Sequence, residues 1–219
     1  IHKVYGPIVY TKMFSRNKID GDSEIAKYLT PFAYFSVSFA LFISLFSEEL
    51  LYIIAPPEYL MGLSVINILC IAMAIGFFAK QPQIMYAGKT VILSVLTFIN
   101  FIFTVILLYL FVNQFGLIGA AIGYLLVSII YNALYVWQGQ KYYRIDYEWL
   151  KLMVIYGMLI FMSISILILH TWEIAYINRL IIKFIYLGIF MGLGMYFKII
   201  TKSNLLLIFR TKKTVTVQS

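Results

Sequence analysis

Residues 91–137 read VILSVLTFINFIFTVILLYLFVNQFGLIGAAIGYLLVSIIYNALYVW, without one charged side chain. An α-helix rises 1.5 Å per residue, so about 20 apolar residues cross a hydrocarbon core of roughly 30 Å. Two such runs lie here, Val91–Val112 and Gly116–Trp137, joined by a tight uncharged turn near Phe111–Phe115. Neither run alternates apolar with polar residues, as a membrane barrel strand would. Backbone amides in lipid must find partners within their own segment, so both runs are predicted to be helices.

Working outward, four more runs have the same character: Leu29–Ser47 with a weak continuation to Ile54, Tyr59 to at least Ala79, about Leu150–Leu169, and about Ile174–Phe197. The predicted fold class is an all-α polytopic membrane bundle of six helices over residues 29–197. Residues 1–28 form a polar leader or the end of a preceding helix, and residues 198–219 a basic tail. Composition agrees. Hydrophobic residues make up 63% of the 219, charged residues only 12%, and the mean hydropathy is +0.92. A soluble fold of this size could not cover so much apolar surface, which excludes a soluble enzyme, a disordered chain and a disulfide-rich module. The chain opens at Ile1 with no signal-peptide pattern and is expected to be the C-terminal part of a longer protein.

Charge supplies sidedness. Of 17 Lys and Arg, fifteen fall in the leader, the second–third connection, the fourth–fifth connection and the tail; only Arg179 and Lys183 fall on the opposite side, with Glu48, Glu49, Glu58 and Glu173. The positive-inside rule then places both ends in the cytoplasm of a cell membrane. The net charge of +8 follows from this asymmetry, and nucleic acid is not expected as a partner. Trp137, Tyr142, Tyr143, Tyr147 and Trp149 fit an inner aromatic belt, and Tyr52, Tyr59, Tyr109, Trp172 and Tyr176 an outer one.

No phosphate-binding glycine loop, HExxH or GxSxG occurs, and neither His2 nor His170 has a second metal ligand at useful spacing. The acids read as loop residues, with Glu48 and Glu49 as an outer flank. No enzyme activity, cofactor or metal is expected. The candidate residues are polar positions within helices. Ser94, Thr97, Asn100 and Thr104 share one stripe at 100° per residue, suited to interhelical hydrogen bonds or to lining a substrate path. If the second helix continues to Tyr86, Gly76, Lys80 and Gln83 share one face and Asn67, Ala74 and Gln81 another. Lys80 then either snorkels to the inner surface or attracts an anionic substrate in a wet cavity. Two GxxxG pairs, Gly119–Gly123 and Gly188–Gly192, read as close-packing sites.

The runs QPQIMYAGKTVILSVLTFIN and LLYLFVNQFGLIGAAIG resemble the C-terminal half of polysaccharide-repeat (O-antigen, Wzx-type) flippases of the multidrug/oligosaccharidyl-lipid/polysaccharide exporter superfamily. The likeness lies in the turn Ala87–Gly88–Lys89, in Asn100, and in Gly116 followed by Gly119–Ala120–Ala121. It lies also in Tyr59 within PPEYLMGLSVINIL and in the leader VYGPIVYTKMF with Pro7 and Lys12. The family's hairpin proline is missing around Val112–Asn113, and Thr104 stands where a second asparagine is common. The resemblance implies one part of a twelve- to fourteen-helix, two-lobed bundle with a cavity opening alternately to each side. It implies a polyprenyl-pyrophosphate-linked oligosaccharide as substrate and membrane lipids and other polysaccharide-assembly proteins as partners. A basic residue such as Lys80 would suit the pyrophosphate. An ion-coupled drug exporter of the same superfamily is the alternative, and a membrane glycosyl polymerase or acyltransferase a more distant one.

Overall fold

The computed structural model describes residues 23–77, 83–172 and 174–199. His2, Lys80, Gln81, Glu173, most of the leader and nearly all of the tail lie outside them. The described residues are helical and contain no strand. In chain order they form α1 (Ser23–Leu45), α2 (Ser47–Ile54), a 3₁₀ turn (Pro57–Gly62), α3 (Leu63–Ile75), α4 (Gln83–Tyr86), α5 (Thr90–Tyr142), α6 (Trp149–Thr171) and α7 (Tyr176–Tyr196). By length and composition α5, α6 and α7 can each cross a membrane, and α1 with α2 makes a fourth such element if the bent pair counts as one span.

α5 is two helices in one. Gly116 sits at φ 58°, ψ −134°, outside helical geometry, and divides the 53 residues into limbs 90–115 and 117–142. The limbs fold back on each other. A Cβ on Gly119 would lie 1.9 Å from the Phe111 carbonyl oxygen, and one on Gly123 3.2 Å from that of Leu107. The first GxxxG pair thus lets two backbones touch, as the sequence predicts. The second does not: nothing lies within 4 Å of a Cβ on Gly188 or Gly192 among the described residues. Small residues permit an approach without compelling one, and α7 turns that face away from the described bundle.

α3 sits at the centre, against α1, α5 and α6. The main core joins Tyr34, Val37, Leu41 and Leu45 of α1, Cys70, Ile71 and Ala74 of α3, and Ile155, Leu159, Met162 and Ile166 of α6. The buried positions of α1 recur at helical spacing, while Phe35, Phe39 and Phe42 on its other face are exposed. Lipid tails are as apolar as these rings, so exposing them there costs little. Tyr34 fastens α7 by stacking on Phe190 at 4.9 Å and donating its O–H to the Phe190 carbonyl (3.0 Å).

Two helices differ from the sequence expectation. The first run does not continue weakly to Ile54: it breaks at Phe46, and α2 turns 64° from the axis of Leu29–Leu45. The second run is no unbroken helix from Tyr59 to Tyr86. It begins as a 3₁₀ turn on Pro57, is α-helical over Leu63–Ile75, and tightens at Phe77, whose N–H bonds the Ala74 carbonyl (3.2 Å). The Tyr156 O–H takes that same carbonyl (2.9 Å) and so caps the end of α3. Of the expected inner aromatic belt, Trp137 and Trp149 are exposed, but Tyr143 and Tyr147 are buried with Ile25, Leu29, Phe32 and Phe77.

Candidate functional site

The most polar part of the described fold lies where the bend after α1 meets α7. Glu48 and Glu49 occupy the first turn of α2, where the helix dipole favours carboxylates. Arg179 and Lys183 are four residues apart on α7 and share a face. Arg179 Nη2 donates to Glu48 Oε1 (2.7 Å). Lys183 Nζ donates to Glu48 Oε2 (3.2 Å) and to both oxygens of Glu49 (2.7 and 2.9 Å). The Tyr176 hydroxyl lies 3.3 Å from Glu49 Oε1, and His170 Nε2 of α6 4.0 Å from Glu48 Oε1. Lys183 is wholly buried, Glu48 is 7% exposed and Glu49 21%. Two carboxylates and two cations balance, as they must, because an unpaired ion out of water costs several kcal/mol. Arg179 Nε is buried with no hydrogen-bond partner among the described residues. An open concavity lies over this network, lined by Glu48, Glu49, Tyr52, Ile53, Tyr176 and Arg179.

One turn back along α1 lies a neutral cluster. Asn67 of α3 is buried and fully used: Nδ2 donates to Ser47 Oγ (3.2 Å) and to the Leu63 carbonyl (2.9 Å), and Oδ1 bonds Ser44 Oγ. Ser44 Oγ also bonds Ser163 Oγ of α6 (2.7 Å), and Ser47 Oγ donates to the Ser44 carbonyl (2.9 Å). Four helices, α1, α2, α3 and α6, are thereby pinned by uncharged groups.

The remaining sequence candidates fall in separate places. Gln83 is fully buried near the opposite end, where its Nε2 donates to the Tyr143 carbonyl (2.7 Å). Burial pushes the Tyr147 phenol above its ordinary pKa, so it stays protonated, with its O–H 3.5 Å from Gln83 Oε1. Gly139 makes room, since a Cβ there would lie 2.3 Å from Gln83 Oε1. Gln140 staples the adjoining turn, donating from Nε2 to the Ile145 carbonyl (2.8 Å) and accepting the Ile145 N–H (2.9 Å). Ser94 and Thr97 are exposed on the first limb of α5 and line an open concavity with Leu93, Phe98 and Phe101. Asn100 and Thr104 are half-buried. The hydroxyls of Ser94, Thr97 and Thr104 each bond the carbonyl four residues back (3.4, 2.8 and 2.7 Å). Asn67, Gln83 and the α5 stripe therefore do not converge, and no two of these three share a site among the described residues.

The sequence reading missed the charged network. It placed Glu48 and Glu49 in a loop, whereas they start a helix and face its neighbour. A usable signal was present: Lys183 lies seven residues inside α7, deeper than a flanking residue needs to be. Among the described residues no group of three or more His, Cys, Asp and Glu is placed to hold a metal. Comparison with known proteins finds no matching family model, no matching curated protein and no matching solved structure.

Proposed function

We propose that this chain is part of a multi-pass membrane transporter that turns polyprenyl-pyrophosphate-linked oligosaccharide repeats from the inner to the outer leaflet for surface polysaccharide export. The observation behind the reading is the hairpin at Gly116. Two of the residues that carry the resemblance, Gly116 and Gly119, are ones whose conformation or smallness the hairpin needs. In this reading the limbs of α5 are separate crossings. Together with α1–α2, the α3–α4 region, α6 and α7 they make six, with both termini cytoplasmic. Ser94 and Thr97 then line the substrate path, on a face of α5 that the described residues leave uncovered. Their backbone hydrogen bonds let that face meet either lipid or a polar cargo at small cost. Lys80, with Gln81 beside it in sequence, is the proposed contact for the pyrophosphate.

Deleting the full-length gene and measuring cell-surface polysaccharide tests the class. Unchanged polysaccharide refutes it. Lys80→Ala and Lys80→Arg in the full-length protein test the residue: loss with alanine and retention with arginine are expected, and normal polysaccharide with alanine removes Lys80 from the account. One observation favours the ion-coupled drug exporter as a second reading, namely the carboxylate of Glu48 buried among cations between helices. Hypersensitivity to cationic drugs with intact polysaccharide after deletion would select it.

A further inference from the structure

Ion pairs shielded from water are poor staples. Replacing all members by apolar groups is often neutral or stabilising, whereas removing one member is costly. The Glu48–Glu49–Arg179–Lys183 network is thus weakly explained by stability, and its position suggests a use. It lies directly after the break at Phe46, where α2 departs by 64° from α1. Both its acids come from α2 and both its cations from α7. Tyr52, Ile53 and Ile54, farther along α2, are exposed at 58%, 82% and 78%. Beside the network the rings of Phe46 and Phe184 meet edge-on at 5.6 Å, a contact at the pivot that leaves the far end of α2 free to move.

We propose that this network is a latch that holds α2 against α7 and opens when its carboxylates take up protons. The groups facing it are Tyr52 on α2, His170 on α6 and Tyr176, Arg179 and Lys183 on α7. Glu49 is the entry point: it is the more exposed acid and borders the open concavity. A proton from solvent neutralises it, and the bidentate hold of Lys183 on Glu49 is lost. A second proton on Glu48 releases Arg179. The docked state therefore prevails while both acids are ionised and is lost as pH falls. With the latch open α2 swings from α7 and the concavity between Tyr52 and Tyr176 widens. None of this depends on which cargo the protein carries.

Spin labels at Ile53→Cys and Ile177→Cys, both exposed positions outside the network, read the separation of α2 and α7. The labelled chain carries Cys70→Ala and is held in lipid nanodiscs. Distances are measured by pulsed electron resonance from about pH 7.5 down to about pH 2.5, through and below the ordinary carboxylate range because paired cations hold carboxylates ionised to lower pH, with helicity followed by circular dichroism. One short population is expected near neutrality, and a second, longer one on acidification. Glu48→Gln with Glu49→Gln should show the longer population at every pH with helicity unchanged. A fully helical double variant that keeps the short distance overturns the latch. If that variant does not fold, the acid series on the unsubstituted network decides: no longer population, or one that arises only as helicity is lost, overturns it.

Discussion

Two polar clusters lie a turn apart on the same part of the fold, and they solve burial differently. Ser44, Ser47, Asn67 and Ser163 join α1, α2, α3 and α6 with neutral hydrogen bonds, each group serving the next. Glu48, Glu49, Arg179 and Lys183 join α2 and α7 with full charges. The neutral cluster can lose one bond and keep the rest. The charged one cannot lose a member without stranding an ion, since Lys183 is entirely enclosed. The first is a fastening and the second is poised, stable only while its charges match.

That contrast can be broken by substitution, with unfolding of the purified chain in mixed micelles as the measurement. Glu48→Ala should have the largest effect, a loss of about 3–5 kcal/mol, because Arg179 and Lys183 are left without their shared partner. A loss below about 1 kcal/mol would mean that the network is wet and screened. Gly119→Ala is a packing control at a residue that belongs to neither cluster. Its Cβ has nowhere to go against the Phe111 carbonyl, and a loss of about 1–3 kcal/mol is expected from overpacking. Asn67→Ala should cost less than Glu48→Ala, about 1–2 kcal/mol, in line with uncharged interhelical bonds in membranes. If it equals Glu48→Ala, the distinction between the clusters fails. Ser94→Ala should change stability by less than about 0.5 kcal/mol, because the exposed hydroxyl only back-bonds its own helix.

Helical character was legible at once, because lipid admits no other solution for long apolar runs. A tight uncharged connection was legible too, expected near Phe111–Phe115; the structure keeps those residues helical and puts the break one residue on, at Gly116, where glycine takes the required backbone angles without strain. The bend at Phe46 was not. Phe46 is an ordinary helix former, and the break follows from what α2 binds, which is a property of α7 some 130 residues away. The same holds for the site. Adjacent acids read as a flank because a one-dimensional pattern does not say which helix they will face. Asn67 and Gln83 stand out in the sequence as polar groups in apolar runs, but the side chains and carbonyl they meet, Ser44 and Ser47 for Asn67 and the Tyr143 carbonyl for Gln83, come from other elements. The continuous face drawn through Gly76, Lys80 and Gln83 presumed an unbroken helix, and α3 ends at Ile75.

The chain is expected to thread the bilayer with its lysine-rich connections on one side. Single cysteines at Arg144, between α5 and α6, and at Trp172, between α6 and α7, both exposed, test this in the Cys70→Ala background on intact cells. A membrane-impermeant thiol reagent added outside should label the cysteine at 172 and leave that at 144 untouched until the cells are permeabilised. Labelling of both from outside, or of 144 alone, would contradict it.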